Sequence, residues 1–251
     1  MTTLNFHPGG YRDEADRRDL PFAPKRTRLP GRVDLSRFCG AVYQQYRTES
    51  CSANALASAL TLLANQSEVR LAPPSRLFMY YNARLSTGTQ GHDTGTTIRT
   101  AIKALARSGV CPEREWPFLK REITARPPRA CYRNARVLPL EYRRIRQDLR
   151  HLHAALAEGH AFVFGMQAYI QPFTEAAKSG RLRLPNPRKD TLCGGHALIA
   201  VGYDAARKTF LARNSLGAGF ARDGFFTVPD AYFTDAELTY DFWLIGGSTG
   251  W

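Results

Sequence analysis

Gln45-Tyr46-Arg47-Thr48-Glu49-Ser50-Cys51-Ser52-Ala53-Asn54-Ala55 leads into a stretch, residues 51 to 64, with Ala, Leu or Thr at nearly every position. Such a run predicts a helix buried on all sides, with Cys51 in its first turn. A thiol is a useful nucleophile only as a thiolate. The positive end of a helix dipole and a neighbouring imidazolium are two common ways to produce one. A candidate imidazole lies about 145 residues downstream, in Gly194-Gly195-His196-Ala197, and Asn214-Ser215 follows it. The two glycines let backbone and substrate approach closely, and His196 suits a general acid. Asn214 can accept from one imidazole N–H and so turn the other ring nitrogen toward Cys51. Each residue has a blander reading: a buried small Cys, a satisfied core His, a turn Asn. All of them in this order, each in a fitting local setting, weigh against those readings. His7, His92, His151, His153 and His160 lack such context. His151 and His153 are two apart on an expected helix and share no face for a metal.

Working outward, Pro74-Ser75 reads as the start of a second helix, with Leu77, Tyr80, Tyr81 and Leu85 on one side. Thr97–Ser108 places Ile98, Ile102 and Leu105 at helical spacing, and Gly109 reads as its C-cap. Residues 112 to 139, rich in Pro and Arg, read as a surface connector. Arg146–Glu158 reads as a helix ended by Gly159. Beyond it come short aromatic or β-branched runs, at 161–166, 197–203, 209–213, 224–228 and 242–245, separated by Gly, Asp and Lys. The chain is helical first and strand-rich second, which predicts an α+β pair of lobes. Residues 1 to 32 are polar and Pro/Arg-rich and read as an extended arm. The arm either docks on the right lobe as structure, the favoured expectation, or covers the cleft as a short inhibitor.

A chain of 251 residues, 43% hydrophobic and 23% charged, suits one sizeable core or two small lobes sharing a cleft. Its apolar runs are too short to span a bilayer, and no cleavable signal is visible near Met1, so a cytoplasmic location or export by another route is expected. The net charge of +13 comes from 29 arginines against 6 lysines, densest between Arg114 and Arg150. It reads as a solvated face, because no nucleic-acid motif accompanies it, and no specific nucleic-acid partner is expected. Cys39, Cys51, Cys111, Cys131 and Cys193 contain no C-x-x-C pair, so free thiols are expected, with no metal and no cofactor.

The Gln45–Ala55 segment resembles the active-site segment of papain-like cysteine peptidases, which carry a Gln six residues before the Cys and a Ser directly before it. Pro74-Ser75-Arg76-Leu77-Phe78-Met79-Tyr80-Tyr81-Asn82 and Cys111-Pro112-Glu113-Arg114-Glu115-Trp116-Pro117-Phe118 resemble segments of the bacterial branch, and the likeness covers roughly residues 33 to 246. It implies a two-lobed fold over 33–251, with a helical left lobe mainly in 45–140. The right lobe, mainly in 141–251, would be an antiparallel barrel-like sheet, with the active site in the cleft between. It implies a thiol peptidase with Cys51, His196 and Asn214 as catalytic residues and a peptide or protein substrate, a host protein among the candidates. Gln45 is expected in the oxyanion hole, with Gln44 as the competing register. Glu49, Gly95, Gly194 and Gly195 are expected to line the substrate site.

Several positions depart from the family. Its Gly before Ser-Cys is Glu49 here, the Gly after its oxyanion Gln is Tyr46, and the Trp that shields its Asn–His bond is Leu216. Ala218-Gly219-Phe220 replaces the Trp-Gly that follows. These changes are expected to narrow the cleft, admit water near the His–Asn pair or alter the P1 preference. Two other functions fit less well: a transglutaminase-like acyltransferase, which uses Asp where Asn214 stands, and a catalytically weak binding domain.

Overall fold

The computed structural model describes residues 7–25 and 28–247. The helices are α1 (Cys51–Gln66), α2 (Arg76–Leu85), α3 (Ile98–Ser108), α4 (Arg129–Arg133), α5 (Leu149–Ala157), α6 (Ile170–Ser179) and α7 (Asp230–Thr234). The strands are β1 (Gly10–Tyr11), β2 (Arg32–Asp34), β3 (Thr96–Thr97), β4 (Leu140–Arg144), β5 (Phe162–Tyr169), β6 (Leu192–Asp204), β7 (Thr209–Arg213), β8 (Phe225–Pro229) and β9 (Thr239–Gly247).

Helix α1 is the shared spine. Its alanines give it a thin profile, and it packs against α2 and α3 on one side and against β5, β6 and β9 on the other. Ala53, Ala55, Leu56, Ala57, Ala59 and Leu60 are all buried. Ser75 caps α2 by accepting the Phe78 N–H, and Thr97 caps α3 by accepting that of Thr100. Gly109 ends α3 at φ 71°, in the left-handed region where glycine is cheapest.

The right lobe is an antiparallel sheet of order β4-β9-β5-β6-β7-β8, with β2 pairing on β6. Its interior is filled by Phe162, Phe164, Phe210, Phe233 and Phe242, with the Phe210 and Phe233 rings stacked at 4.0 Å. With the helical left lobe, this sheet makes an α+β, papain-like architecture.

Some expectations need correction. The helix expected from Arg146 begins at Leu149, because the Asp148 side chain caps it through the His151 N–H. The strand expected from Ala197 begins at Leu192, so His196 lies within β6 and pairs with Met166 of β5. Strand β4 and helix α6 were not anticipated. The β4 text, Leu-Glu-Tyr-Arg-Arg, shows little of the apolar alternation that marks a strand, because it lies at the end of the sheet order and none of its residues is fully buried. The connector contains the one-and-a-half turns of α4, buried through Cys131.

The arm runs in two parts. Residues 12 to 25 lie along the right lobe, where Phe22 N–H donates to the Arg144 carbonyl. Asp13 is fully buried there: its carboxylate accepts from Trp243 Nε1 at 2.8 Å, and its N–H donates to Asp241 Oδ2 at 2.5 Å. Asp19 pairs with Arg99 of α3, and Asp241 pairs with Arg144. Residues 7 to 11 run through the cleft, with Pro8 and Gly10 against β6 on one side and β1 pairing in parallel with β3 on the other.

Candidate active site

Cys51 is the first residue of α1, with no exposed surface. Its sulfur lies against the backbone N–H groups of Ala197, Gly9 and Ser52. His196 is equally buried, and its Nε2 lies 2.9 Å from Asn214 Oδ1. An amide oxygen can only accept, so Nε2 donates and Nδ1 is the nitrogen available to the sulfur. Asn214 follows β7 directly, and its Oδ1 also accepts the Ser215 N–H at 2.8 Å. Two donors on one oxygen hold the amide in this orientation.

Gln45 is fully buried one loop ahead of Cys51. Ser215 Oγ donates to its Oε1 at 2.6 Å, which leaves Nε2 to donate to the Thr48 carbonyl at 2.8 Å and to the His7 carbonyl at 3.5 Å. The neighbouring Gln44 is turned away, with its side chain on Tyr46 N–H and the Leu216 carbonyl. Tyr46 takes φ 54°, the left-handed backbone a glycine would adopt more cheaply, and its ring stacks on Phe118.

A polar network fixes the start of α1. Asn54 donates to the Ser50 carbonyl at 2.9 Å and accepts from Arg76 Nη1 at 3.0 Å. Arg76 also pairs with Glu113 and lies over the rings of Tyr43 and Phe118. Thus the Pro74–Asn82 and Cys111–Phe118 segments converge on the helix that carries Cys51.

Leu216 does not leave the His–Asn bond open to water, contrary to expectation. Phe173 of α6 meets the His196 ring edge-to-face at 6.1 Å, and Phe220 packs on Phe173. His196 is 0% and Asn214 only 4% exposed. The shield comes from another element, one with no signal near the motif.

The expected substrate-site residues all meet the arm. A Cβ on Gly95, which has φ 68°, would fall 2.1 Å from the Gly9 carbonyl oxygen, and one on Gly195 would fall 2.0 Å from that of Gly10. Gly194 faces Pro8, and Glu49 packs against Gly9. Glu49 N–H donates to Asp93, and burial, then the Asp93 charge, pushes the Glu49 carboxyl above its ordinary range. The cleft therefore already holds a strand of this chain.

Burial pushes the Cys51 thiol up, opposed by the N–H groups around it, and Glu49 adds to the rise. Burial pushes His196 down to about 4, opposed by its bond to Asn214. Burial thus favours the neutral form of both groups.

No protein-family profile matches the chain. Xylellain, a cysteine protease from Xylella fastidiosa, is 37% identical, superposes with a TM-score of 0.91, and is covered over 98% of its length by 99% of this chain. The chain belongs to the papain-like cysteine peptidases. An uncharacterized peptidase C1-like protein of Acanthamoeba polyphaga mimivirus is 34% identical over 207 residues, 78% of this chain; the match spans 66% of that protein. Procathepsin L 3 of Tenebrio molitor, at 18% identity and a TM-score of 0.70 over 92% of this chain and 75% of its own, shares the fold. No helix among the described residues of this peptidase is long and apolar enough to cross a membrane.

Proposed function

We propose that this peptidase hydrolyses peptide bonds through a Cys51 acyl-enzyme. His196 Nδ1 takes the Cys51 proton, and the thiolate attacks the substrate carbonyl carbon. The oxygen that becomes negative is bound by Gln45 Nε2 and by the Cys51 N–H, one of the orphan donors of a helix start. His196 then gives its proton to the leaving amine and takes one from the water that releases the acyl group. Asn214 orients the imidazole throughout.

The observation that supports this reading is that the arm threads the cleft with the His7 carbonyl 3.5 Å from Gln45 Nε2 and the Gly9 N–H against the Cys51 sulfur. A polypeptide carbonyl thus already lies within reach of the donor that the mechanism needs. A chain trimmed through Gly10 should be labelled once, at Cys51, by an epoxide or fluoromethyl-ketone inhibitor at neutral pH. Labelling elsewhere, or none, would reject the assignment. The acyltransferase and binding-only readings are not favoured by relatives described as peptidases.

Gln45→Ala in the trimmed chain should lower kcat by about 10²–10³, the usual cost of one oxyanion donor, with KM little changed. A kcat near that of the unmutated chain would remove Gln45 from the mechanism.

Glu49 and Asp93 set two carboxylates beside the arm's path, and we assign them to attraction of a basic P1 side chain. Glu49→Gly should weaken preference for Arg or Lys at P1 in a peptide library. It should also speed Cys51 labelling below pH 7, because a nearby carboxylate disfavours the thiolate. Both effects should stay within about tenfold and shrink in salt, since the carboxylate is half-exposed. An unchanged profile would leave Glu49 a wall residue only.

A further inference from the structure

Away from the cleft, two buried thiols and a carboxylate meet in a small satellite core. Cys111 follows α3, Cys131 lies in α4, and both are fully buried against Leu77, Phe78, Tyr81 and Trp116. Glu115 closes the group from the half-buried side. Its Oε2 lies 3.8 Å from Cys111 Sγ and accepts from Asn134 Nδ2 at 3.0 Å. One sulfur from each cysteine and one carboxylate oxygen all fall within 4.8 Å of one another.

We propose that Cys111, Cys131 and Glu115 bind a zinc ion that braces the connector against α2. Zinc bonds of about 2.3 Å to sulfur and about 2.0 Å to oxygen, at tetrahedral angles, separate sulfur from oxygen by about 3.5 Å. The Cys111–Glu115 spacing is close to that. Asn134 orients the carboxylate, as a partner behind a metal ligand does. Each thiol gives its proton to solvent as its sulfur bonds the metal, and nothing is oxidised or reduced. The ligands sit in Cys-x-x-x-Glu and a distant Cys, so the absent C-x-x-C pair hides them from sequence reading.

The site bears on the peptidase scaffold. The Cys111 carbonyl accepts the Ser75 N–H at 2.7 Å, and Glu113, two residues on, holds Arg76. Arg76 in turn holds Asn54 near the start of α1.

The test uses the reduced full-length chain carrying Cys51→Ala, so that metal on the cleft thiol cannot be mistaken for this site. Cobalt(II) should bind one per chain with a thiolate charge-transfer band in the near ultraviolet, and zinc should displace it. Zinc at about 100 times its Kd should raise Tm by about 5–10 °C. Cys111→Ser or Cys131→Ser should abolish the band, whereas Cys39→Ser and Cys193→Ser should leave it. Glu115→Gln, at the half-exposed edge, should weaken zinc about 10–100-fold while the metal-free Tm stays the same. Three results would each overturn the proposal: no stoichiometric binding by the reduced chain, a band that survives both cysteine variants, or a Cys111–Cys131 disulfide in the protein as purified.

Discussion

Cys51→Ala and His196→Ala, each in the chain trimmed through Gly10, are expected to lower kcat by about 10⁴–10⁶, and the double variant to lose no more than either alone. The reason is mechanical. The thiol proton has to reach His196 before sulfur can attack, so the second group has no work left once the first is gone. Independent action would multiply the losses instead, and a double variant far below both singles would break the shared mechanism. Folding has to be held constant in this comparison. Cys51→Ala removes only a sulfur atom, whereas His196→Ala empties a buried site and leaves Asn214 without its ring partner, which costs about 1–3 kcal/mol. Thermal melting of each variant separates lost folding from lost chemistry. A His196→Ala chain that melts normally and still turns over would end the assignment.

What could be read in the sequence is what is local. Cys51 and Gln45 sit in one loop-helix segment, whose Ala-rich text can only be a buried helix. Asn214 directly follows a five-residue strand whose limits are legible in its apolar run. His196 was found, but its strand was begun five residues late, because Leu192-Cys193-Gly194-Gly195 carries too little apolar alternation to look extended. Those glycines have a different cause: the arm passes so closely that any side chain would collide with it. Gly9-Gly10, Gly95 and Gly194-Gly195 form one reciprocal pattern across three distant segments, and only the fold shows that they face one another. The same limit hid Phe173, which shields the His–Asn bond from outside the motif, and its packing on Phe220. It also hid the bond from Arg76 to Asn54. Pairing of such distant positions is a tertiary fact, and no window along the chain contains it.

The arm carries the second large expectation. Trimming residues 1 to 10 should raise kcat/KM by about 10³. Pro8, Gly9 and Gly10 fill the space between Gly95, Glu49 and Gly194-Gly195, and the His7 carbonyl occupies the Gln45 amide. A substrate has to displace all of this. A tethered segment with micromolar intrinsic affinity, at about millimolar effective concentration, leaves the cleft open for about one part in 10³, and substrate pays that fraction. Opening the cleft also restores water to two groups that burial holds neutral. With the arm seated, His196 takes a proton only near pH 4 and the Cys51 thiol ionises only above its ordinary range. The full-length chain should therefore label slowly throughout pH 5–8, whereas the trimmed chain, with its thiolate–imidazolium pair solvated, should label rapidly over that window. A longer cut, through residue 25, separates this effect from a structural one. It removes Asp13 and Asp19 and leaves Arg99, Arg144, Asp241 and Trp243 without their arm partners. Loss of partners from such a buried network costs about 3–5 kcal/mol, which a Tm measurement would show directly. The short cut should raise activity at unchanged Tm, and the long cut should lower Tm. If the short cut leaves both kcat/KM and the labelling profile unchanged, the arm is no barrier to substrate, and its place in the cleft has no regulatory consequence.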